Sequence, residues 1–178
     1  MVSSMIIGVL SDTHDNIHAT RRILRRLSDH NVELIIHLGD IVSPFTLKAI
    51  REEIGGVKLI IVKGNNDGDI YLLNKLSSGY GWIFYSEPTI LEIGGRRIFI
   101  MHGYGDASTT EKIVDALAKS IDTDILLYGH THIARSEHIN GKLVLNPGEA
   151  CGYITGRHTY GIIDTITLNT EIFEEDIK

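Results

Sequence analysis

The stretch MIIGVLSDTHDN, residues 5–16, joins a short apolar run to a carboxylate and an imidazole. It predicts a buried β-strand over Ile6–Leu10, since a short apolar run bounded by polar residues is typical of such a strand. Asp12 and His14 follow at once, and residues two apart in an extended segment point to the same side. Asn16 can then cap a helix. The segment therefore predicts a strand that delivers metal-binding side chains at its carboxyl end and leads into a helix.

Four later apolar runs end in the same way. The runs ELIIHL, KLIIV, RIFIM and DILLY lead into the polar groups GD, KGNND, HG and GHTH. In open α/β sheets, ligands bind in the crevice beyond the carboxyl ends of the strands. We therefore expect one shared site for a pair of divalent cations, with seven predicted ligands: Asp12, His14, Asp40, Asn65, His102, His130 and His132.

The first half of the chain is predicted to alternate strands with helices. Strands are expected over Ile6–Leu10, Glu33–Leu38 and Lys58–Lys63, and a helix over Ile70–Leu76. Pro44 suits the first turn of another helix, because its missing N–H is not needed there.

The second half is richer in short strands. Strands are predicted over Trp82–Tyr85, Thr89–Ile93, Arg96–Met101 and Asp124–Tyr128, and a helix over Ser108–Ser120. Gly94-Gly95 is a hairpin signal, and Ser108 with Glu111 resembles a capping box. A β meander is predicted from Ala134 onward, with strands over Ala134–Ile139, Lys142–Leu145, Thr159–Asp164 and Thr167–Glu174. Two sheets packed face to face, with helices outside, are the simplest assembly of these elements.

Composition sets bounds on the class of protein. The 178 residues predict a single domain over 1–178, and the net charge of −6 argues against a surface built for nucleic-acid backbone. The single Cys151 excludes an intrachain disulfide and a cysteine zinc cage. The run Met5–Leu10 is too short for a membrane span or a signal segment. We therefore expect a cytoplasmic protein.

The ordered motifs resemble those of the calcineurin-like metallophosphoesterase superfamily. They are D-x-H at 12–14, G-D at 39–40, G-N-N-D at 64–67, H-G at 102–103 and G-H-T-H at 129–132. The resemblance is greatest to its small archaeal and bacterial phosphodiesterases, one branch of which also carries N-P-G-E and G-Y-x-T-G, as Asn146–Glu149 and Gly152–Gly156 do here. It implies an α/β (α+β) fold, a four-layer αββα sandwich of two mixed β-sheets flanked by helices.

The resemblance also implies a metal site and a reaction. One metal position would take Asp12, His14, Asp40 and His132, and the other would take Asp40, Asn65, His102 and His130, with Asp40 as the bridge. The implied reaction is phosphodiester hydrolysis by in-line attack of a metal-bridging hydroxide. Mn or Ni is expected first, with Fe, Co or Zn as alternatives. The residues expected to act in catalysis are Asp40, Asn66 and His102.

Asn66 departs from the pattern of many superfamily members, which have histidine at this place. An amide can donate a hydrogen bond but cannot titrate. We therefore expect substrates with good leaving groups to be favoured. His158 is a candidate substitute acid.

Several interpretations stay open at this point. The same site could serve a phosphomonoesterase, and the same fold serves as a non-catalytic scaffold in the retromer subunit that resembles these enzymes. His37 is expected in the core or behind the ligands, and the arginines at 21, 22, 25 and 26 form either a phosphate-binding strip or a solvated helix face. Tyr153 could stack on a substrate base or simply pack. The expected partner is a small phosphodiester, with no membrane and no polymeric nucleic acid, and a homo-oligomer is left open.

Overall fold

The computed structural model describes residues 4–177, and this part of the chain forms eleven strands and four helices. The strands are β1 Ile6–Leu10, β2 Leu34–His37, β3 Lys58–Val62, β4 Ile83–Tyr85, β5 Thr89–Ile93, β6 Arg96–Ile100, β7 Ile125–Leu127, β8 Arg135–Ile139, β9 Lys142–Asn146, β10 His158–Asp164 and β11 Thr170–Glu175. The helices are α1 Ile17–Asp29, α2 Pro44–Ile54, α3 Ile70–Gly79 and α4 Ala107–Ser120. None of the helices in residues 4–177 has the length and apolar character needed to cross a membrane.

The strands form two mixed sheets. The larger has the order β11-β10-β1-β2-β3-β4, in which β1 to β4 run parallel and β10 and β11 are antiparallel to their neighbours. The smaller has the order β5-β6-β7-β9-β8, with β6, β7 and β9 parallel and a hairpin partner at each edge. As a result, the parallel strands in the middle of each sheet end at one edge.

Alternation along the strands creates the four layers. In β7, Ile125 and Leu127 face a core shared with Ile7 and Val9 of β1, while Leu126 faces a separate core under α4. A third core lies between the larger sheet and the helices α1, α2 and α3. Strands buried on both faces read as continuous apolar runs, which is why the sequence indicated them clearly. The predicted αββα sandwich is confirmed.

The predicted β meander at the end of the chain is wrong. Strands β8 and β9 form the expected hairpin through Asn140-Gly141, but β10 leaves that sheet and pairs with β1 of the other one. The connection over residues 147–157 carries the chain across to the open side of β1, which β10 fills, and β11 then pairs with β10. The start of α4 also differs: Asp106, not Ser108, caps the helix by accepting from Thr109 N. A carboxylate at the positive end of the helix is favourable there.

Candidate metal centre

The seven predicted ligands lie in loops that directly follow five parallel strands. Asp12 and His14 follow β1, Asp40 follows β2 and Asn65 follows β3 in the larger sheet. In the smaller sheet the ligands are His102 after β6 and the pair His130 and His132 after β7. The structure brings all seven to one place where the carboxyl ends of the two sheets meet.

Five of these seven residues have a left-handed backbone. Their φ angles are 54° for Asp12, 42° for His14, 57° for Asp40, 69° for His130 and 61° for His132. Residues other than glycine enter this region at a cost of about 1–2 kcal/mol each. Hydrogen bonds hold the conformation: Asp12 N donates to Gly39 O and His14 N to Asp40 O, both at 3.0 Å. Strain of this kind clusters at functional sites.

The first group of ligand atoms surrounds Asp12 Oδ1. His14 Nε2 lies 3.8 Å from it and His132 Nε2 lies 3.5 Å from it, and the two imidazole rings stack at 5.2 Å between centroids. Asp12 Oδ1 and His14 Nε2 are both buried, and neither has a hydrogen-bond partner among residues 4–177. Buried polar atoms without partners are rare and costly in folded proteins. A cation bound among them would satisfy both.

The second group surrounds His102 Nε2. Asn65 Oδ1 lies 2.9 Å from it, His130 Nδ1 lies 3.3 Å from it and Asp40 Oδ2 lies 3.4 Å from it. Asp40 Oδ2 also lies 3.3 Å from His14 Nε2 in the first group. One carboxylate oxygen therefore stands between the two groups.

Asp40 is almost fully buried but remains a carboxylate. Burial on its own would raise the pKa of Asp40, yet the neighbouring His102 imidazole and the two hydrogen bonds from Asn66 hold that pKa far below its ordinary value. Asn66 N donates to Asp40 Oδ1 at 2.7 Å, and the Asn66 side-chain amide donates to Asp40 Oδ2 at 2.8 Å. Asp40 Oδ2, the oxygen between the two groups, therefore carries negative charge and could act as a ligand to cations.

Three of the imidazoles are held by their outward nitrogens. His102 Nδ1 donates to Leu38 O at 2.6 Å and His130 Nε2 donates to Gly105 O at 2.7 Å. His132 Nδ1 donates to Glu149 Oε2 at 2.7 Å. Because each outward nitrogen carries the proton, the inward nitrogen is left with a free lone pair, as in metal-ligating histidines.

The donor set fits divalent transition metals. It offers imidazole nitrogens, carboxylate oxygens and one amide oxygen, which suit Mn, Fe, Co, Ni or Zn.

Cys151 lies behind the site, where its Sγ donates to Glu149 Oε2 at 3.2 Å. Burial raises the pKa of the Cys151 thiol to about 12, so the group stays protonated and is no nucleophile.

Two buried residues brace the ligand loops. Asp67 accepts from Val42 N at 2.8 Å and from Gly64 N at 2.7 Å, so it ties the loop after β2 to the loop after β3. A Cβ on Gly64 would lie 2.2 Å from Asp40 N, so only glycine allows this approach. Asp67 is the last residue of the G-N-N-D motif, so it was visible in the sequence, although its hydrogen bonds to the two loops were not predicted.

His37 is the second bracing residue. It is fully buried, and burial lowers its pKa to about 3, which keeps the ring neutral. Gly39 N donates to His37 Nδ1 at 3.2 Å, so the proton is on Nε2, which lies 3.1 Å from Thr13 Oγ1. His37 thereby links the turn containing Asp12 to the turn containing Asp40, in agreement with its expected place behind the ligands.

The basic face of α1 is ion-paired, which favours the interpretation as a helix face over a phosphate-binding strip. Its arginines pair with carboxylates: Arg21 pairs with Glu52, Arg25 with Glu53, and Arg22 and Arg26 with Glu175.

His158, the candidate substitute acid, packs against Gly152, and its Nδ1 donates to Ala150 O at 3.0 Å.

Comparisons with known proteins agree with this geometry. Residues 5–167 match the sequence profile of the calcineurin-like phosphoesterase superfamily domain. A phosphodiesterase of Methanocaldococcus jannaschii is 38% identical over 168 residues, which cover 90% of this chain and 93% of that protein. The solved structure of an archaeal phosphodiesterase has a TM-score of 0.87 at 35% identity, covering 96% of this chain and 100% of the other. Vacuolar protein sorting 29 of Cryptosporidium parvum shares the fold, with a TM-score of 0.65 at 22% identity over 98% of each chain.

Proposed function

The chain belongs to the calcineurin-like phosphoesterase superfamily, and from this membership we propose that it is a phosphodiesterase that uses two divalent cations. As a member of this family it is an enzyme, a metal-dependent phosphoesterase. The phosphodiesterase activity of its relatives is the basis for proposing a diester as the substrate.

A single observation supports two cations rather than one. Asp40 Oδ2 lies 3.3 Å from His14 Nε2 and 3.4 Å from His102 Nε2, and each of these imidazoles belongs to a separate group of ligand atoms. We assign Asp12, His14, Asp40 and His132 to one cation and Asp40, Asn65, His102 and His130 to the other. When bound, such a pair of cations stabilises the phosphoryl oxygens and lowers the pKa of a water that attacks in line with the leaving group.

The chain's own residues prepare the site for this chemistry. The outward hydrogen bonds of His102, His130 and His132 fix the direction of each ring. Asn66 holds both oxygens of Asp40 and thereby orients the bridging carboxylate. Asn66 is itself exposed, and we propose that its amide also contacts a bound phosphoryl group. Mn or Ni is the proposed metal, a small phosphodiester the proposed substrate and the cytoplasm the proposed location.

A phosphomonoesterase on the same site is the second candidate within the enzyme class. The test is a screen of the metal-free protein reconstituted with Mn or Ni, using aryl monoesters, aryl diesters, and cyclic and linear nucleotides. We expect the highest kcat/KM for a diester. Faster turnover of the matching monoester would assign the site to monoesters instead.

A non-catalytic scaffold is the candidate from another class. The fold is shared with vacuolar protein sorting 29, but at 22% identity this likeness extends to the fold alone. The complete and converging ligand set of this chain favours an enzyme. Tight binding of metal with no turnover in any arm of the same screen would support the scaffold.

A further inference from the structure

Glu149 is a fully buried carboxylate that accepts hydrogen bonds from five donors. These donors are His132 Nδ1 at 2.7 Å, Cys151 Sγ at 3.2 Å, Ile154 N at 3.1 Å, Thr155 N at 2.5 Å and Thr155 Oγ1 at 2.7 Å. Hydrogen bonds to a charged acceptor are stronger than neutral ones. The environment of Glu149 is therefore built for a carboxylate.

The two oxygens of Glu149 share Ile154 N as a donor but otherwise have different partners. Oε2 accepts from His132, whereas Oε1 accepts from both donors of Thr155. A glutamine could not replace it, because one of its terminal atoms would be an NH2 group facing another donor. Burial would raise the pKa of Glu149, but the hydrogen bonds from Thr155 and His132 outweigh it and lower the pKa to about 2.

His132 differs from the other two anchored imidazoles in its partner. The outward nitrogens of His102 and His130 donate to neutral backbone carbonyls, whereas that of His132 donates to a charged carboxylate. A carboxylate behind an imidazole makes the inward nitrogen more basic and fixes its tautomer.

Glu149 itself is held in place from both sides. Before it, the Asn146 side-chain amide donates to Gly129 O at 3.0 Å and to Thr131 Oγ1 at 2.9 Å, within the loop that carries His132. After it, Cys151 N donates to Asp12 O at 3.1 Å, next to another ligand. These contacts tie the backbone on both sides of Glu149 to the loops that carry His132 and Asp12.

Glu149 also joins the metal centre to a surface loop. The loop spans Gly152–Arg157, and the side chains of Tyr153 and Ile154 are 65% and 71% exposed there. His132 and the loop residues Thr155 and Arg157 line one cavity of about 120 Å³. Among residues 4–177, the carboxylate of Glu149 is the direct hydrogen-bonded link between His132 and this loop.

We propose that Glu149 is a positioning residue that keeps His132 Nε2 directed at the Asp12 metal position and makes the affinity of that position depend on the Gly152–Arg157 loop. This inference rests on the proposed two-cation site. Loss of a carboxylate behind a metal-ligating imidazole typically weakens metal binding about 10–100-fold.

The first test is a metal titration against a chromophoric chelator. In wild-type protein we expect two binding steps, and Glu149→Gln should weaken one of them about 10–100-fold. Asn65→Ala marks the other position, because Asn65 belongs only to that group. If Glu149→Gln and Asn65→Ala weaken the same step, or if Glu149→Gln weakens neither, the inference is wrong.

The second test concerns the loop. Thr155→Val removes the hydroxyl donor to Glu149 but leaves the backbone donor, so the same binding step should weaken several-fold. Ile154→Ala is the matched control, because its side chain is exposed while its backbone N–H still donates to Glu149. Equal metal affinities in Thr155→Val and wild type would contradict the inferred coupling between the loop and the metal position. Circular dichroism confirms that each variant is folded.

The third test separates this inference from the proposed function. Nitrogen-15 NMR of the metal-free protein should show His132 protonated on Nδ1 in wild type and a mixture of tautomers in Glu149→Gln. This measurement requires no metal. A wild-type protein that binds fewer than two cations but shows the Nδ1 tautomer contradicts only the two-cation proposal. A tautomer that Glu149→Gln leaves unchanged contradicts the positioning role.

Discussion

The side-chain amide of Asn66 donates a hydrogen bond of 2.8 Å to Asp40 Oδ2, the oxygen that lies between the two groups of ligand atoms. The backbone N–H of the same residue donates to the other oxygen of Asp40. From the sequence, Asn66 was expected to face the leaving group in place of a histidine. The structure places it first of all against the bridging carboxylate.

Replacement of Asn66 tests both roles. Asn66→His should raise kcat/KM for alkyl diesters relative to aryl diesters, because an imidazole can protonate a poor leaving group. Asn66→Ala is the control, and it should lower both rates by a similar factor through the loss of its hold on Asp40. The measurement is the ratio of the two rates in each variant. An unchanged ratio in Asn66→His would contradict a leaving-group role for this position.

The shared oxygen of Asp40 predicts a distinctive pattern of metal loss. Asp40→Asn should weaken both binding steps, whereas His14→Ala should weaken mainly one, because His14 belongs to a single group. Titration with Mn after removal of metal by a chelator measures both. A stoichiometry that stays at one cation under saturating Mn would contradict the two-cation site.

Glu175 predicts a pH-dependent contribution to stability. It accepts from Arg22 at 2.8 Å and from Arg26 at 2.9 Å, and the hydrogen bond from Arg26 holds its pKa below the ordinary value. Because the folded pKa is the lower one, this stabilisation is complete above the unfolded pKa of about 4.3 and is lost as the pH falls through the folded pKa.

The measurement is urea unfolding of Glu175→Gln. At pH 7 we expect a loss of about 1 kcal/mol, since both arginines are partly exposed, and the difference from wild type should shrink near pH 3. Glu174→Gln is the matched control, because Glu174 pairs with the more exposed Arg157 and should contribute less. If the difference in unfolding free energy between Glu175→Gln and wild type grew as the pH fell, the predicted pH dependence would be wrong.

The left-handed backbone at His130 predicts an unusual order of stabilities. Alanine is normally more stabilising than glycine outside such positions, but at a φ of 69° a Cβ is unfavourable. His130→Gly should therefore be more stable than His130→Ala by about 1 kcal/mol. Thermal unfolding of the two metal-free variants measures this difference, and a more stable alanine variant would show that the position carries no strain.

The sequence predicted the central strands and the ligands that follow them because both depend on local patterns. The strands β1, β2 and β3 are buried on both faces, so each appears in the sequence as an apolar run whose end can be located. The ligand motifs stand directly after these ends. Local patterns could not predict which sheet β10 joins, because the pairing of β10 with β1 links residues far apart in the chain. The hydrogen bonds of Glu149 and the brace at Asp67 were missed for the same reason.

The strained conformation of five ligand residues has a consequence for how this protein can change over time. Their side chains are the proposed ligands of the cations, yet the backbone at each position would be more relaxed with glycine. Selection for hydrolysis and selection for stability therefore oppose each other at these positions. In a lineage that no longer required the reaction, the ligands would be among the first residues whose loss strengthens the fold.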